Sequence, residues 1–322
     1  MPADANDVVG VLLMAYGSPE RIEDLRPYLL DIRGGRETPD SLVEEMTERY
    51  QLIGGRSPLL MWTRRQGLAL ESLLNKLYAF DGKRYRVYFG MRHWEPRIKG
   101  AVEQIMADGV RDVIGLVMAP HNSRMSIGAY YARLQEAIEE LDAQINILSI
   151  EQWHDHPGLI EAITENALQA RQAFGAEDPY VIFSAHSLPA RILAQGDPYD
   201  AQLRETAALL CKSMDLEDDR WQFCYQSAGQ SAEPWLGPAI EQVIMGLLEA
   251  GEKNILVVPI GFVCDHVEVL YDIDIVCKNL AEKHGARLIR SQSLNDSPTF
   301  IAALAELVSE RYKQNGVGVT PN

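Results

Sequence analysis

The stretch GFVCDHVEVLYDID, residues 261–274, decides the fold and marks the candidate site. The apolar segment before it, Asn254–Ile260, predicts a buried strand that runs through a turn into a helix. Glu268 and Asp272 stand four residues apart on that helix, so both carboxylates lie on one face. Acidic side chains at the carboxyl end of an apolar strand are typical of sites in open α/β sheets.

A second strand end, in the segment SAHSLP (Ser184–Pro189), presents His186. A histidine and a carboxylate on adjacent strand ends can face each other across one cleft, where they suit proton transfer, transition-metal binding, or both. Two plainer interpretations stay open. Asp265 and Glu268 have the spacing of a capping box, and a histidine at a strand end often has only a structural hydrogen bond.

Short apolar runs alternate with longer amphipathic runs along the whole chain. Most of the short runs are continuous, which is typical of strands buried on both faces of a parallel sheet. The predicted strands are Val8–Ala15, Tyr85–Gly90, Val113–Ala119, Ile145–Ile150, Tyr180–Ser184, Trp221–Tyr225, Asn254–Ile260 and Arg287–Arg290. Four βα units followed by four more predict two doubly wound, Rossmann-like α/β domains, residues 1–175 and 176–322, with the active cleft between them.

Composition excludes several classes of function. A net charge of −16 over 322 residues argues against nucleic acid and against anionic lipid as partners. No run reaches the roughly 18 apolar residues of a membrane span, and the N-terminus lacks the features of a signal peptide, so we expect a cytoplasmic protein. The absence of GxGxxG after the first strand, and of GxxxxGK[ST], GxSxG and HExxH, weakens the common nucleotide-binding, hydrolase and zincin interpretations.

The four cysteines form no CxxC pair, so they do not indicate a zinc site. Nothing in their spacing suggests an iron–sulfur cluster either, and core thiols are the plainest interpretation. The four are Cys211, Cys224, Cys264 and Cys277.

Residues 21–65 contain eight arginines and no lysine. Guanidinium groups bind carboxylates and phosphates in bidentate fashion, so this segment is a candidate clamp for an anionic ligand, with a solvated helix face as the alternative. Tyr16 and Trp235 each follow a predicted strand. Such aromatic residues can either complete a core or pack on a flat ligand.

Taken as a whole, the sequence resembles the ferrochelatases, enzymes that insert ferrous iron into a porphyrin. The matching segments follow the family order over nearly the whole chain and are MAYGSPE, IGGRSPL, FGMRHWEP, SAHSLP, YQSAGQSAEPWLGP and GFVCDHVEVLYDID. The chain looks most like the short Gram-positive type that metallates coproporphyrin III. It has Tyr16 in MAYG, and it lacks the C-terminal extension and the cysteine cluster of longer relatives. The resemblance implies a class II chelatase-like fold.

The resemblance also implies roles for individual residues. His186 and Glu268 would flank the metal-insertion point, and Asp272 would continue an acidic track for iron. Family mechanisms differ over whether the histidine binds iron or accepts pyrrole protons. The implied substrate-binding residues are Tyr16, Arg33, Arg49, Ser57, Tyr130, Ser227 and Trp235. Three positions depart from relatives: Val276 replaces a glutamate of the track, Arg92 replaces a lysine, and Ala228 stands where some relatives have glutamate.

These features predict an enzyme of heme biosynthesis that inserts Fe²⁺ into coproporphyrin III to give coproheme. The ring must lose two N–H protons as it accepts the metal, which requires proton acceptors and a metal ligand near its centre. We expect a monomer with the porphyrin and Fe²⁺ as partners, no organic cofactor and no iron–sulfur cluster. The alternatives are a protoporphyrin IX ferrochelatase that gives protoheme, and a non-catalytic carrier of tetrapyrroles.

Overall fold

The computed structural model of the protein describes residues 7–78, 83–229 and 233–314. All eight predicted strands are present, with ends within two residues of the predictions. They are β1 (Val8–Ala15), β2 (Arg84–Met91), β3 (Asp112–Val117), β4 (Asn146–Ile150), β5 (Tyr180–His186), β6 (Trp221–Gln226), β7 (Asn254–Pro259) and β8 (Arg287–Arg290). Residues 1–6, used for the signal-peptide prediction, and residues 230–232 of YQSAGQSAEPWLGP lie outside the described ranges.

Helices follow the strands as the amphipathic pattern predicts. They are α1 (Leu25–Ile32), α2 (Asp40–Leu52), α3 (Leu59–Leu77), α4 (Ile98–Ala107), α5 (Ile127–Glu140), α6 (Pro157–Gln172), α7 (Arg191–Ala194), α8 (Tyr199–Ser213), α9 (Ile240–Glu249), α10 (Lys278–Lys283) and α11 (Pro298–Gln314). A short 3₁₀ helix (Ile22–Asp24) precedes α1, and a π-helix (Val269–Cys277) runs directly into α10. In the part of the chain described, no helix has the length and apolar character needed to cross a bilayer.

The strands form two parallel four-stranded sheets with the same topology, β2-β1-β3-β4 and β6-β5-β7-β8. Both faces of each sheet are covered, which explains the continuous apolar runs. In β1, Val11 and Leu13 join the core between the sheets, while Leu12 and Met14 face the opposite core under α4 and α5. The predicted fold class, α/β with two parallel sheets, is confirmed.

Two helices connect the halves of the molecule. Helix α6 follows the first sheet but contacts α8 and β7, and α11 follows the second sheet but contacts α3, α6 and β4. The core between the sheets therefore combines side chains from both, such as Leu13, Phe183 and Phe300. The domain boundary at residue 175 stays a prediction.

Candidate active site

A cavity of about 340 Å³ lies between the two sheets, at the carboxyl ends of their central strands. Its wall includes Tyr16 after β1, Met118 after β3, His186 at the end of β5 and Phe262 after β7. Parallel sheets leave a crevice at the point where the strand order reverses, and ligands bind there. The volume lies within the range of small-molecule sites, so the predicted cleft is present and large enough for a ligand.

His186 and Glu268 face each other on the second-sheet wall, with His186 Nε2 3.4 Å from Glu268 Oε1. His266 Nε2 lies 3.5 Å from the other carboxylate oxygen, Oε2. The Nδ1 atom of His186 contacts the carbonyl oxygen of Ser187, and that of His266 lies 3.0 Å from the carbonyl oxygen of Cys264. Because a carbonyl oxygen only accepts, Nδ1 carries the hydrogen in both rings and Nε2 is the atom that faces the carboxylate.

Two imidazole nitrogens therefore flank the carboxylate of Glu268, each beside a different oxygen. This donor set suits Fe²⁺, and backbone carbonyls that fix the outer ring nitrogen are a usual feature of metal-binding histidines. His266 was not among the predicted site residues. Its sequence signal is its place two residues before Glu268, at the start of the helix.

The charges on this pair stabilise one another. Burial by itself would lower the pKa of His186, but the carboxylate of Glu268 outweighs burial and raises that pKa above its ordinary value. Burial would likewise raise the pKa of Glu268, yet His186 and His266 hold it well below its usual range. The raised pKa of His186 and the lowered pKa of Glu268 both favour an imidazolium beside a carboxylate, and from that state a metal ion must displace a proton before it can bind His186 Nε2.

Asp272 lies on the π-helix beyond Glu268 and outside the cavity lining. It accepts a hydrogen bond from Ser227 Oγ, and its Oδ1 lies 3.6 Å from Arg49 Nη1. Ser227 has φ of 59°, a left-handed conformation that is unusual for serine and is often found at functional sites. Burial raises the pKa of Asp272, the bond from Ser227 opposes this, and the charge of Glu268 adds to it, so that the pKa is about 6.

We expect Asp272→Asn to stabilise the protein by about 1–2 kcal/mol at pH 7.5. A raised carboxyl pKa means that the folded state binds the proton more tightly than the unfolded chain does. Stability therefore falls as pH rises between about 4 and 6, and the full penalty remains above pH 6. Asparagine keeps the shape and removes the charge. Urea unfolding at pH 7.5 measures the difference.

The matched control is Glu282→Gln, which removes an exposed carboxylate of α10 that pairs with Lys278 at 4.0 Å. We expect this control to change stability by less than about 0.5 kcal/mol, because exposed ion pairs contribute little. Equal or lower stability of Asp272→Asn would contradict the raised pKa.

The predicted substrate-binding residues divide into two groups. Those that line the cavity are Tyr16, Ser57 and Tyr130, and those outside its lining are Arg33, Arg49, Ser227 and Trp235. The indole of Trp235 covers Gly229, where an added Cβ would lie 2.4 Å from Cζ2 of the ring, and the backbone of Trp235 forms a bridge with Pro189.

Several polar side-chain atoms are buried without a hydrogen-bond partner within the described ranges. They include Ser18 Oγ and Ser57 Oγ in the cavity wall, and Arg33 Nε and Arg49 Nε outside the cavity lining. Buried polar groups are rarely left unpaired, so each such group needs an explanation. A ligand with several acceptor groups would supply the missing partners of these donors.

Tyr16 stands on the first-sheet wall and is held there by a chain of contacts. Its ring lies 4.6 Å, centroid to centroid, from that of His93. His93 Nδ1 is 2.7 Å from one carboxylate oxygen of Asp31, and the other is 2.9 Å from Arg97 Nη1. Although 39% of Tyr16 is exposed, burial of its hydroxyl and then the charge of Glu268 raise its pKa to about 12, so it remains an O–H donor.

Three further lining residues were not predicted as site residues. The guanidinium of Arg92 lies 5.6 Å from the ring centre of Tyr130 and places a delocalised cation in the wall. Tyr199 donates a hydrogen bond of 3.0 Å to the backbone oxygen of His186. Burial lowers the pKa of His121 to about 3, so it is neutral. Arg92 and His121 follow strands and Tyr199 begins a helix, but no motif in the neighbouring sequence indicates that these residues line the cavity.

The capping interpretation of Asp265 is wrong. Its carboxylate accepts hydrogen bonds from Ser293 Oγ at 2.8 Å and Asn295 Nδ2 at 3.0 Å, and it pairs with Arg290 at 3.2 Å. The side chain therefore does not cap the helix that follows, because residues from a distant part of the chain occupy both of its oxygens.

Comparisons with known proteins find relatives that match nearly the whole chain. The family model described as Ferrochelatase matches residues 8–312. A ferrochelatase of Deinococcus radiodurans is 42% identical over 306 residues, 94% of this chain and 96% of the relative. A coproporphyrin III ferrochelatase of Geobacillus kaustophilus is 40% identical over 314 residues, 95% of this chain and 97% of the relative.

Among solved structures, SirB from Bacillus subtilis covers 96% of this chain and 97% of its own, with a TM-score of 0.59 and 12% identity. CbiX covers 94% of this chain and 98% of its own, with a TM-score of 0.52 and 12% identity. At such low identity, these two likenesses concern the fold alone.

Proposed function

The chain belongs to the ferrochelatase family, enzymes that insert Fe²⁺ into a porphyrin, and on this premise we propose that its porphyrin is coproporphyrin III. The predicted family, fold and enzymatic class are thereby confirmed, and the carrier alternative loses its support. The roles of individual residues and the monomeric state stay predictions.

The observation that carries the proposal for the chemistry is the 3.4 Å approach of His186 Nε2 to Glu268 Oε1 in the cavity wall. One ring nitrogen cannot hold a proton and a metal ion at once, so the two roles debated for the histidine follow each other in time. Fe²⁺ displaces the proton from Nε2 and is held by imidazole and carboxylate. When iron passes to the ring, Nε2 is free again to accept a pyrrole proton.

The carboxylate of Glu268 has two functions in this proposal. It stabilises the imidazolium that forms when His186 takes up a proton, and it supplies a hard oxygen ligand while iron is present. After His186 has released the first pyrrole proton to solvent, its Nε2 atom can accept the second pyrrole proton. Tyr16, on the other wall, contributes a neutral O–H group on the opposite side of the ring.

The choice of coproporphyrin III rests on charge and on hydrogen-bonding capacity. This ring carries four propionates, whereas protoporphyrin IX carries two. Ser57 Oγ, Arg33 Nε and Arg49 Nε lack a partner in the described part of the chain, and propionates would satisfy these donors. Relatives of 39–40% identity that are named coproporphyrin III ferrochelatases add support. The name of the Deinococcus relative, ferrochelatase, specifies no porphyrin, so protoporphyrin IX remains the second candidate substrate.

We expect the purified protein to metallate coproporphyrin III with a kcat/KM at least about 10-fold above that for protoporphyrin IX, since each stranded donor or propionate costs about 1–3 kcal/mol. The measurement is an anaerobic assay with Fe²⁺ that follows the porphyrin absorption bands of both rings in parallel. Preference for protoporphyrin IX would contradict the proposed substrate but leave the proposed metal-insertion chemistry intact. Metallation of neither ring would contradict the chemistry assigned to His186 and Glu268.

A further inference from the structure

Arg290, at the end of β8, contacts acidic residues on both sides of Glu268 in the sequence. Its Nε and Nη2 atoms lie 2.7 and 2.9 Å from the two carboxylate oxygens of Asp274, on the π-helix. Its Nη1 atom lies 3.2 Å from Asp265, which directly precedes His266. One guanidinium therefore connects Asp265 to Asp274, the two ends of a stretch that contains His266 and Glu268.

The segment that follows Arg290 holds Asp265 as well. Ser293 and Asn295 both donate to the Asp265 carboxylate, and the Asp265 backbone N–H donates to Asn295 Oδ1 at 2.9 Å. Only 12% of the Arg290 side chain is exposed. A buried guanidinium with a bidentate partner is geometrically well defined, because its planar fork matches the carboxylate. The backbone on either side of His266 and Glu268 is thus fixed from β8.

The contacts of Arg290 stabilise a segment whose own charges and backbone conformation are unfavourable. Glu268, Asp272 and Asp274 place three carboxylates within a short stretch, and like charges at this spacing destabilise a helix. The segment also has a π-helical conformation, which is rare and is frequently found at functional sites. The charge of Arg290 offsets that of Asp274, which leaves Glu268 as the carboxylate that faces the two imidazoles in the cavity wall.

We propose that Arg290 is a positioning residue for metal insertion: by holding Asp265 and Asp274 together, it keeps Glu268 and His266 in register with His186. Arg290 lies outside the cavity lining, so it contacts neither ring nor iron in this proposal. The proposal rests on the metallation function proposed above. Displacement of a catalytic group by about 1 Å can reduce turnover by about 10²-fold, even when the substituted residue is distant.

The test compares Arg290→Gln with Arg220→Gln. Arg220 is the matched control, because it is a partly buried arginine before β6 that pairs with Glu252 at 2.6 and 3.4 Å and lies outside the cavity lining. Both variants should have a lower Tm. Only Arg290→Gln should lower kcat, by about 10²-fold, while KM for the porphyrin stays within about 2-fold of wild type.

Activity is measured below both Tm values, with whichever porphyrin the wild type metallates, so failure of coproporphyrin III as substrate leaves this test intact. Amide hydrogen exchange provides a readout that does not depend on activity. Exchange in residues 265–277 should be faster in Arg290→Gln and unchanged in Arg220→Gln.

A second variant covers the case in which Arg290→Gln does not fold. Asp274→Asn keeps the arginine and the shape of its partner, and we expect kcat to fall by about 10-fold through loss of the charge-assisted bonds. Wild-type kcat in both folded variants would overturn the proposal. So would equal losses of kcat in Arg290→Gln and Arg220→Gln, or unchanged exchange in residues 265–277.

Discussion

Glu268→Gln should lower kcat for metallation by at least about 10²-fold while porphyrin affinity stays within about 3-fold of wild type. The substitution keeps the size of the side chain but removes the charge that raises the pKa of His186 and a hard ligand for iron. His186→Ala should have an effect of similar size, and the double variant should lose little more than either single one, because the two residues act as a unit. Stopped-flow metallation and porphyrin titration by absorbance measure both quantities.

The pH dependence separates this proposal from a general loss of structure. Iron must displace a proton from His186, so kcat/KM for Fe²⁺ should rise with pH through the raised pKa of that residue. In Glu268→Gln, the cause of the upward shift is absent, so the residual activity should begin to rise at lower pH.

The control is Glu241→Gln, which removes a partly buried carboxylate of α9 outside the cavity lining. Its kcat and pH profile should match those of the wild type. Full activity in folded Glu268→Gln would exclude the assigned role, and an unshifted profile would exclude the proposed effect of Glu268 on His186.

Arg49→Ala should raise KM for coproporphyrin III by about 10-fold or more and change KM for protoporphyrin IX less, because it strands a propionate that otherwise has a charge-assisted partner. Arg49 Nη2 lies 2.6 Å from Glu45, Nη1 lies 3.6 Å from Asp272, and Nε is buried without a partner among the described residues. The guanidinium thus has hydrogen-bonding capacity left for a ligand. Steady-state kinetics with both porphyrins measure the effect.

Arg26→Ala is the control, because Arg26 belongs to the same arginine-rich segment but is 54% exposed and pairs with Asp40 at 2.5 Å. Its KM values should remain within about 2-fold of wild type. Equal changes for both porphyrins in Arg49→Ala would show that Arg49 does not distinguish the extra carboxylates. An equal effect of Arg26→Ala would attribute the change to net charge.

Local patterns in the sequence were sufficient for the fold class and for the strands. Continuous apolar runs such as Val8–Ala15 predict strands buried on two faces, and they do so because burial depends on the composition of the run itself. The same reasoning placed His186 and Glu268 at neighbouring strand ends, and the parallel sheet brings them within 3.4 Å. Parallel strands share one carboxyl edge, and the pairing of β5 with β7, which the tertiary structure shows, brings the two residues together there.

Other features depend on partners that are distant in the sequence. The sequence predicts a helix after Asp265 and leaves open whether Asp265 caps it, but Ser293 and Asn295 occupy the Asp265 carboxylate and much of the helix is a π-helix. Arg49 reaches Asp272 from α2, and α6 and α11 contact the sheet of the opposite half.

Sequence by itself thus determined the family, the α/β class and the strands, because these follow from composition and order along the chain. Tertiary structure alone decided the convergence of His266 on Glu268, the two arginines that hold Asp272 and Asp274, and the π-helical form of the segment. Each of these is a choice among possible hydrogen-bond and charge partners. Such choices depend on which side chains the folded chain brings within about 3–4 Å, and local propensity carries no information about them.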